Sequence, residues 1–170
     1  TGFLYIRKGL AQEPFIYGGA QERNMRGGTE NVYGIVGLAK AMELAYEDIE
    51  GHRAHVESLK RRMIDGLTAG IEGVRFNGDS ANLDRSLYTV LNVCLPENEA
   101  SSMLLFNLDI LGICVSGGSA CSSGSNVGSH VLSAIGSDPK RPAVRFSFSR
   151  YTTEEEVDYA LNELIRLYQD

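Results

Sequence analysis

The sequence predicts an α+β domain in which a small, mostly antiparallel sheet is covered by helices. Apolar residues recur at helical spacing over 30–70 and again over 153–168. Between these stretches, short segments alternate apolar and polar residues, as half-buried strands do. The strands do not alternate regularly with helices, which argues against a complete doubly wound domain.

Residues 1–28 are punctuated by Gly9, Gly18, Gly19, Gly27 and Gly28. They read as one short strand at 3–6 followed by an extended loop, too little for a core of its own. The domain proper then runs over 29–170. Ile35, Leu38, Met42, Ala45 and Ile49 form one helical stripe, and Val56, Leu59, Met63 and Leu67 form another. Two helices, or one long bent one, fill 30–70, with Gly51 as the candidate break and Gly70 and Gly73 marking the end. A short strand at 74–76 leads into the Asn77-Gly-Asp79 turn signal. In the run 87–95, Leu87, Leu91, Val93 and Leu95 share one face, while Tyr88, Val90, Asn92 and Cys94 share the other. Met103, Leu104 and Leu108 have helical spacing within 98–109. A strand at 113–115 runs into a small-residue loop over 116–129, and a helical turn or two follows at 129–135. Val144, Phe146 and Phe148 alternate with Arg145, Ser147 and Ser149, a strand with one apolar face. Thr153 and Glu156 have the spacing of a capping box opening the last helix, whose buried stripe is Val157, Leu161, Leu164, Ile165 and Tyr168.

With 170 residues, 43% of them hydrophobic, the chain suits one domain with a real core, or one domain plus a short extension. A formal charge of −6 argues against a nucleic-acid surface, which carries a basic stripe. No apolar run approaches the roughly 18–20 residues needed to cross a bilayer, and no signal-peptide pattern opens the chain. Three cysteines, Cys94, Cys114 and Cys121, with no CxxC pair, point to a reducing cytoplasm rather than a disulfide framework. His52, His55 and His130 are not spaced with them as a zinc site requires, so no metal is expected. The chain opens on Thr1 without an initiator methionine, which fits either methionine removal or a piece of a longer protein.

Three places could carry chemistry. Cys121 sits among small polar residues that cannot bury it in an apolar shell, which suits a nucleophilic thiol and equally an ordinary exposed cysteine. Cys114 and Cys94, each between apolar neighbours, read as inert buried thiols. Arg145 shares its strand face with small serines, so its planar fork has room to meet a carboxylate; a solvated surface arginine is the plainer alternative. Thr29, in Arg26-Gly-Gly-Thr29-Glu-Asn, is either the cap of the first helix or a hydroxyl placed where a phosphate would bind.

Six segments, in this order and over nearly the whole chain, resemble the pyridoxal-phosphate (PLP) dependent cysteine desulfurases of the nitrogen-fixation and iron–sulfur-cluster type, within the class V aminotransferase superfamily. They are Thr1-Gly-Phe-Leu-Tyr-Ile-Arg-Lys-Gly9, Gly18-Gly-Ala-Gln-Glu-Arg23, Arg26-Gly-Gly-Thr-Glu-Asn-Val32, Val115-Ser-Gly-Gly-Ser-Ala-Cys-Ser-Ser-Gly124, Ser129-His-Val-Leu-Ser-Ala-Ile-Gly136 and Val144-Arg-Phe-Ser-Phe-Ser-Arg150. The resemblance implies that Cys121 takes sulfur from L-cysteine, leaving L-alanine, and carries it as a persulfide. The sulfur then passes to an acceptor or scaffold protein for iron–sulfur cluster or thio-cofactor synthesis. It implies that Arg145 binds the substrate carboxylate and that Asn92 lies in the strand approaching the site. Thr29 would contact the PLP phosphate, in this family usually that of the neighbouring subunit of a homodimer. PLP would serve as the electron sink that weakens the C–S bond.

In the family, the Schiff-base lysine, the aspartate partner of the pyridine nitrogen and the stacking histidine all precede the position matching Thr1. The chain is therefore expected to be the small C-terminal domain of a fold-type I PLP enzyme, with 1–28 as the leader from the large domain. By itself it is expected to be inactive. Two rivals stand: another class V PLP enzyme, such as a selenocysteine lyase, and a non-catalytic sulfur-relay or scaffold domain.

Overall fold

The computed structural model describes residues 1–117 and 129–169, without the Ala100 side chain. Cys121 lies outside the described residues. The chain divides into two compact units, Thr1–Ile49 and Glu50–Asp170.

In the first unit, residues 1–20 form a loop with a turn at 8–9, where Leu10 N donates to Arg7 O at 3.1 Å, and contain no strand, contrary to the expectation for 3–6. Phe3, Leu4 and Tyr5 are exposed, and no described residue pairs with their backbone. A strand exists only with a partner, so local apolarity alone did not make one. Gly27 N donates to Ile16 O at 2.8 Å, folding the segment back on itself. A Cβ at Gly27 would lie 2.7 Å from Gly18 N and 2.8 Å from Tyr17 C, so only glycine permits this backbone approach. Helix α1 (Val32–Glu47) buries none of its residues; Ile35 and Met42, two of its expected stripe, are exposed.

Helix α2 (Ile49–Gly70) opens the second unit. The break between the helices falls at Asp48, with φ −146° and ψ 66°, and Gly51 lies inside α2. A glycine costs a helix interior only about 1 kcal/mol and does not by itself end it. Strands β1 (Arg75–Phe76), β2 (Val90–Cys94) and β3 (Ala143–Ser147) form one antiparallel sheet in that order. Leu87 precedes β2 and is exposed, which corrects its assignment to the apolar face. A 3-10 turn (Glu99–Met103) leads into α3 (Leu104–Ile110). Leu104 and Leu108 are buried there, whereas Met103 is exposed. Residues 113–115 form no strand; only Ser116 bridges to the sheet. Helix α4 (His130–Ala134) is short, and α5 (Glu154–Arg166) starts at the expected capping box. There Thr153 N donates to Glu156 Oε2 at 2.9 Å, and Glu156 N donates to Thr153 Oγ1 at 3.2 Å.

The core lies on one face of the sheet. Leu91, Val93, Val144 and Phe146 join Val56, Leu59, Met63 and Leu67 of α2 and Val157 and Leu164 of α5. Helices α2 and α5 approach closely at two glycines: a Cβ at Gly66 would overlap Leu161 Cδ2, and one at Gly70 would overlap Ile165 Cδ1. On the outer side, Arg62 spans the same pair of helices, with Nη2 2.8 Å from Asp158 Oδ2. Lys60, on α2, is fully buried; its Nζ donates to Ser86 Oγ at 2.8 Å and to Leu87 O at 3.0 Å, pinning the segment that feeds β2.

Two predictions follow from this packing. Gly66→Ala should raise intrinsic helix propensity yet destabilise the chain, because overpacking costs roughly 1–3 kcal/mol. Calorimetry should show Tm lowered by roughly 2–12 °C; an unchanged or raised Tm would mean that Leu161 moves aside without cost. The second concerns Lys60, whose burial pushes its pKa below the ordinary lysine value of 10.5 despite Glu57 nearby. Between that lowered value and 10.5 the unfolded chain binds the extra proton, so this group makes stability rise with pH across that window. Lys60→Met should remove that increment. Denaturation midpoints measured from neutral pH to pH about 10 should show the wild type gaining on the variant; parallel curves would refute the assignment.

Candidate functional site

The polar face of the sheet holds the residues that could carry chemistry. Alternation in β3 buries Val144 and Phe146 and turns Arg145 to the opposite face. Asn92 is the register partner of Arg145 on β2. The pairing class follows from where their backbones bond. Arg145 N donates to Ser116 O at 2.7 Å, and Ser116 N donates to Arg145 O at 3.2 Å. On the other side, Asn77 N donates to Asn92 O at 3.0 Å. Both residues thus turn their peptide groups away from each other, which makes them a non-hydrogen-bonded pair, the class with the closest side chains.

Among the described residues, the guanidinium of Arg145 is largely uncommitted. Nη2 donates to Ser116 Oγ at 3.3 Å, and Nε is buried with no hydrogen-bond partner among the described residues. A buried unsatisfied donor of a charged group is costly, and a bound water, ion or ligand can offset that cost. The solvated surface arginine is therefore the poorer description. A planar fork held at half-burial fits a carboxylate.

Asn92 is half-buried, and its Oδ1 accepts from Asn77 Nδ2 at 2.7 Å. Asn77 Oδ1 accepts in turn from Ser137 Oγ at 2.6 Å. Asn77 and Ser137 were not singled out in the sequence, where Asn77 reads only as the start of a turn. Both also line a cleft of about 210 Å³ with Cys94 and Asp138. That volume is below the ~300 Å³ of a typical ligand pocket, so the cleft is better suited to water.

The cysteines divide unexpectedly. Cys94 is buried, as expected, but Cys114 is exposed, because 113–115 is not a strand and its side chain is not enclosed. Cys121 falls outside the described residues. Its chain distance is nonetheless bounded: five residues from Ser116 span at most about 17 Å. The segment that carries it is therefore rooted beside Arg145.

In the other unit, Thr29 is not the helix cap. Asn31 takes that role, its Oδ1 accepting from Gly34 N at 3.1 Å. The Thr29 hydroxyl is exposed and bonds to no described residue. The turn around it is tied by Gly28 N to Gln21 Oε1 at 3.1 Å and by Arg26 Nη1 to Gly28 O at 3.0 Å. Gly28 has φ +103°, which only glycine adopts readily. Three consecutive non-glycine residues, Glu22, Arg23 and Asn24, also have positive φ just upstream. Strain of that kind concentrates at ligand clamps and active sites.

Among the described residues, no group of three or more histidine, cysteine or acidic side chains could hold a metal ion. No helix of the described residues is long and apolar enough to cross a membrane.

Comparison with known proteins adds the family context. The aminotransferase class-V family model matches residues 1–160. Cysteine desulfurase IscS of Dictyoglomus turgidum is 41% identical over 171 residues, covering 99% of this chain and 42% of that protein. Cysteine desulfurase IscS of Photobacterium profundum is 39% identical, covering 96% of this chain and 40% of that protein. Among solved structures, a NifS-like protein superposes with a TM-score of 0.78 at 38% identity, over 97% of this chain and 41% of its own. The NifS-like protein from Rickettsia africae gives 0.76 at 25% identity, over 95% and 41%. The chain thus spans about two-fifths of the length of the relatives it matches.

Proposed function

The chain belongs to the aminotransferase class-V family, and from that premise we propose that it is the C-terminal part of a PLP-dependent cysteine desulfurase. The observation that carries the proposal is Arg145, whose guanidinium is largely uncommitted and whose buried Nε has no partner among the described residues, beside the root of the cysteine-bearing segment. An amino-acid carboxylate supplies what that fork lacks. A sulfur relay has no need of such a clamp, which favours the enzyme over the relay or scaffold reading.

The residues here fit one end of the cofactor and not the other. Thr29, with its unspent hydroxyl on a glycine-shaped turn, suits the phosphate, in a homodimer that of the neighbouring subunit. No lysine of this chain suits the Schiff base. Lys60 alone is buried, and its ammonium is committed to Ser86 and Leu87. In this reading the imine-forming lysine belongs to the part of the relatives that this chain does not span, and 1–28 joins the two parts. Bound PLP supplies an electron sink that weakens the substrate C–S bond.

The chain's own residues do the rest. Arg145 takes the carboxylate of L-cysteine in a two-point contact, and Asn92, its closest cross-strand neighbour, donates from its amide to the same group. The Cys121 thiolate attacks the substrate sulfur: an S–S bond forms and the substrate Cβ–S bond breaks. The electron pair of the broken bond goes to carbon, which is protonated to give alanine, while sulfur remains on Cys121 as a persulfide. An acceptor or scaffold protein then takes the sulfur, in a reducing cytoplasm suited to thiol chemistry. Selenocysteine shares the carboxylate and the geometry, so relative turnover of the two amino acids separates desulfurase from selenocysteine lyase.

The test uses the full-length protein with PLP and L-cysteine. Alanine and a protein persulfide are the expected products, Cys121→Ala should abolish the persulfide, and Arg145→Ala should raise KM for cysteine roughly 10–100-fold. Undiminished persulfide in Cys121→Ala, or an unchanged KM in Arg145→Ala, would refute these roles.

A further inference from the structure

We infer that Asn77, itself fixed by Ser137, is a positioning residue that turns the Asn92 carboxamide so that its NH2 end joins Arg145 in binding the substrate carboxylate. The inference rests on the desulfurase reading above, from which it takes the substrate.

A carboxamide has nearly the same shape either way round, yet its two ends have opposite chemistry. The orientation matters here because Asn92 and Arg145 form the closest class of cross-strand pair. With Oδ1 turned to Arg145, the amide oxygen would accept from the guanidinium, and the pair would satisfy itself. An incoming carboxylate would then have to displace an internal hydrogen bond. With Nδ2 turned to Arg145, both residues offer donors only, and an anionic acceptor is the one partner that suits them.

The structure selects the second arrangement. Asn92 Oδ1 is captured by Asn77 Nδ2 at 2.7 Å. Asn92 Nδ2 donates to no described residue, so that end of the amide is uncommitted. Asn77 could itself flip, and a serine hydroxyl can donate or accept, but the 2.6 Å between Ser137 Oγ and Asn77 Oδ1 is the length of an O–H···O bond and short for an N–H···O bond, which favours Oδ1 at that end. The backbone beneath is held as well: the carbonyl of Asn92 accepts from Asn77 N at 3.0 Å and from Ser80 Oγ at 2.9 Å. Two loops, one following β1 and one following α4, thus converge on Asn92 from the edge away from Arg145. Arg145 Nε has no partner among the described residues beside this arrangement, as a clamp for an anion requires.

The test is a double-mutant cycle in the full-length enzyme, with steady-state kinetics on L-cysteine and thermal denaturation of each variant. Asn77→Leu, close in volume and without donors, should raise KM about fivefold and leave kcat within about twofold. Ser137→Ala, a smaller change that keeps the fold safe, should raise KM about twofold. Asn92→Ala should raise KM at least as far as Asn77→Leu does. In the Asn92→Ala background, neither Asn77→Leu nor Ser137→Ala should raise KM further, because both act through the amide that is gone. A structural role would behave otherwise, with the Asn77 and Ser137 effects persisting in that background. Persistence, an unchanged KM in both single variants, or a fall confined to kcat or Tm would overturn the inference. A wild-type enzyme that turns over cysteine while the variants behave indifferently overturns only the positioning role. A wild type that releases no alanine from cysteine overturns the desulfurase reading and this inference together.

Discussion

The pairing of β2 with β3 is the constraint on which both halves of this domain depend. Its register places Leu91 against Phe146 and Val93 against Val144, and between them Asn92 against Arg145. Strand side chains alternate with period two, so a slip of one residue would drive the guanidinium into the apolar layer and expose both Val144 and Phe146. The free energy that holds the core in place therefore also fixes the outward position of Arg145. No separate device is needed to aim Arg145; burial of its neighbours does it. The backbone exchange with Ser116 extends the same logic one segment further, joining the root of the cysteine-bearing stretch to the sheet.

Behind the sheet, helix packing supports that register from two directions. Gly66 and Gly70 let α2 and α5 approach across Leu161 and Ile165, closing the core over the sheet's apolar face. Lys60 acts at the other end of the problem. Its buried ammonium gathers Ser86 and Leu87, so the chain entering β2 arrives in one position rather than several. Burying an ammonium is costly unless it is well hydrogen-bonded, and fixing the entry to a strand whose register matters gives that cost a physical role.

How much of this was legible in the sequence depended on whether the signal was local. Period-two alternation identified β3 and the outward face of Arg145, and the Thr153–Glu156 spacing identified the start of α5; both are written within a few residues. The misreadings share one cause. The apolar residues at 3–6 look like a strand, but a strand needs a partner that no described residue provides. Cys114 looks buried because of its neighbours Ile113 and Val115, yet burial is decided by what packs from outside the segment. Leu87 and Met103 continue apolar patterns past the ends of their elements. Thr29 matched a cap pattern that Asn31, two residues on, satisfies instead. The Ser137–Asn77–Asn92 chain was invisible for a stronger reason: its members are 15 and 60 residues apart, and only the sheet brings them together.

The distribution of chemistry along the chain follows from these packing facts. A desulfurase must hold an amino-acid carboxylate firmly while a thiol reaches the sulfur of the same small molecule. In the proposed reading, the two residues that would hold the carboxylate, Asn92 and Arg145, stand on the central and edge strands of a packed sheet. The thiol, by contrast, is carried in a stretch of small residues rooted at Ser116, within about 17 Å of extended chain. On that reading, the carboxylate contact falls to residues of a packed sheet and the sulfur chemistry to a different segment of the chain. Placing Ser116 directly opposite Arg145 ensures that the two begin from the same point of the sheet.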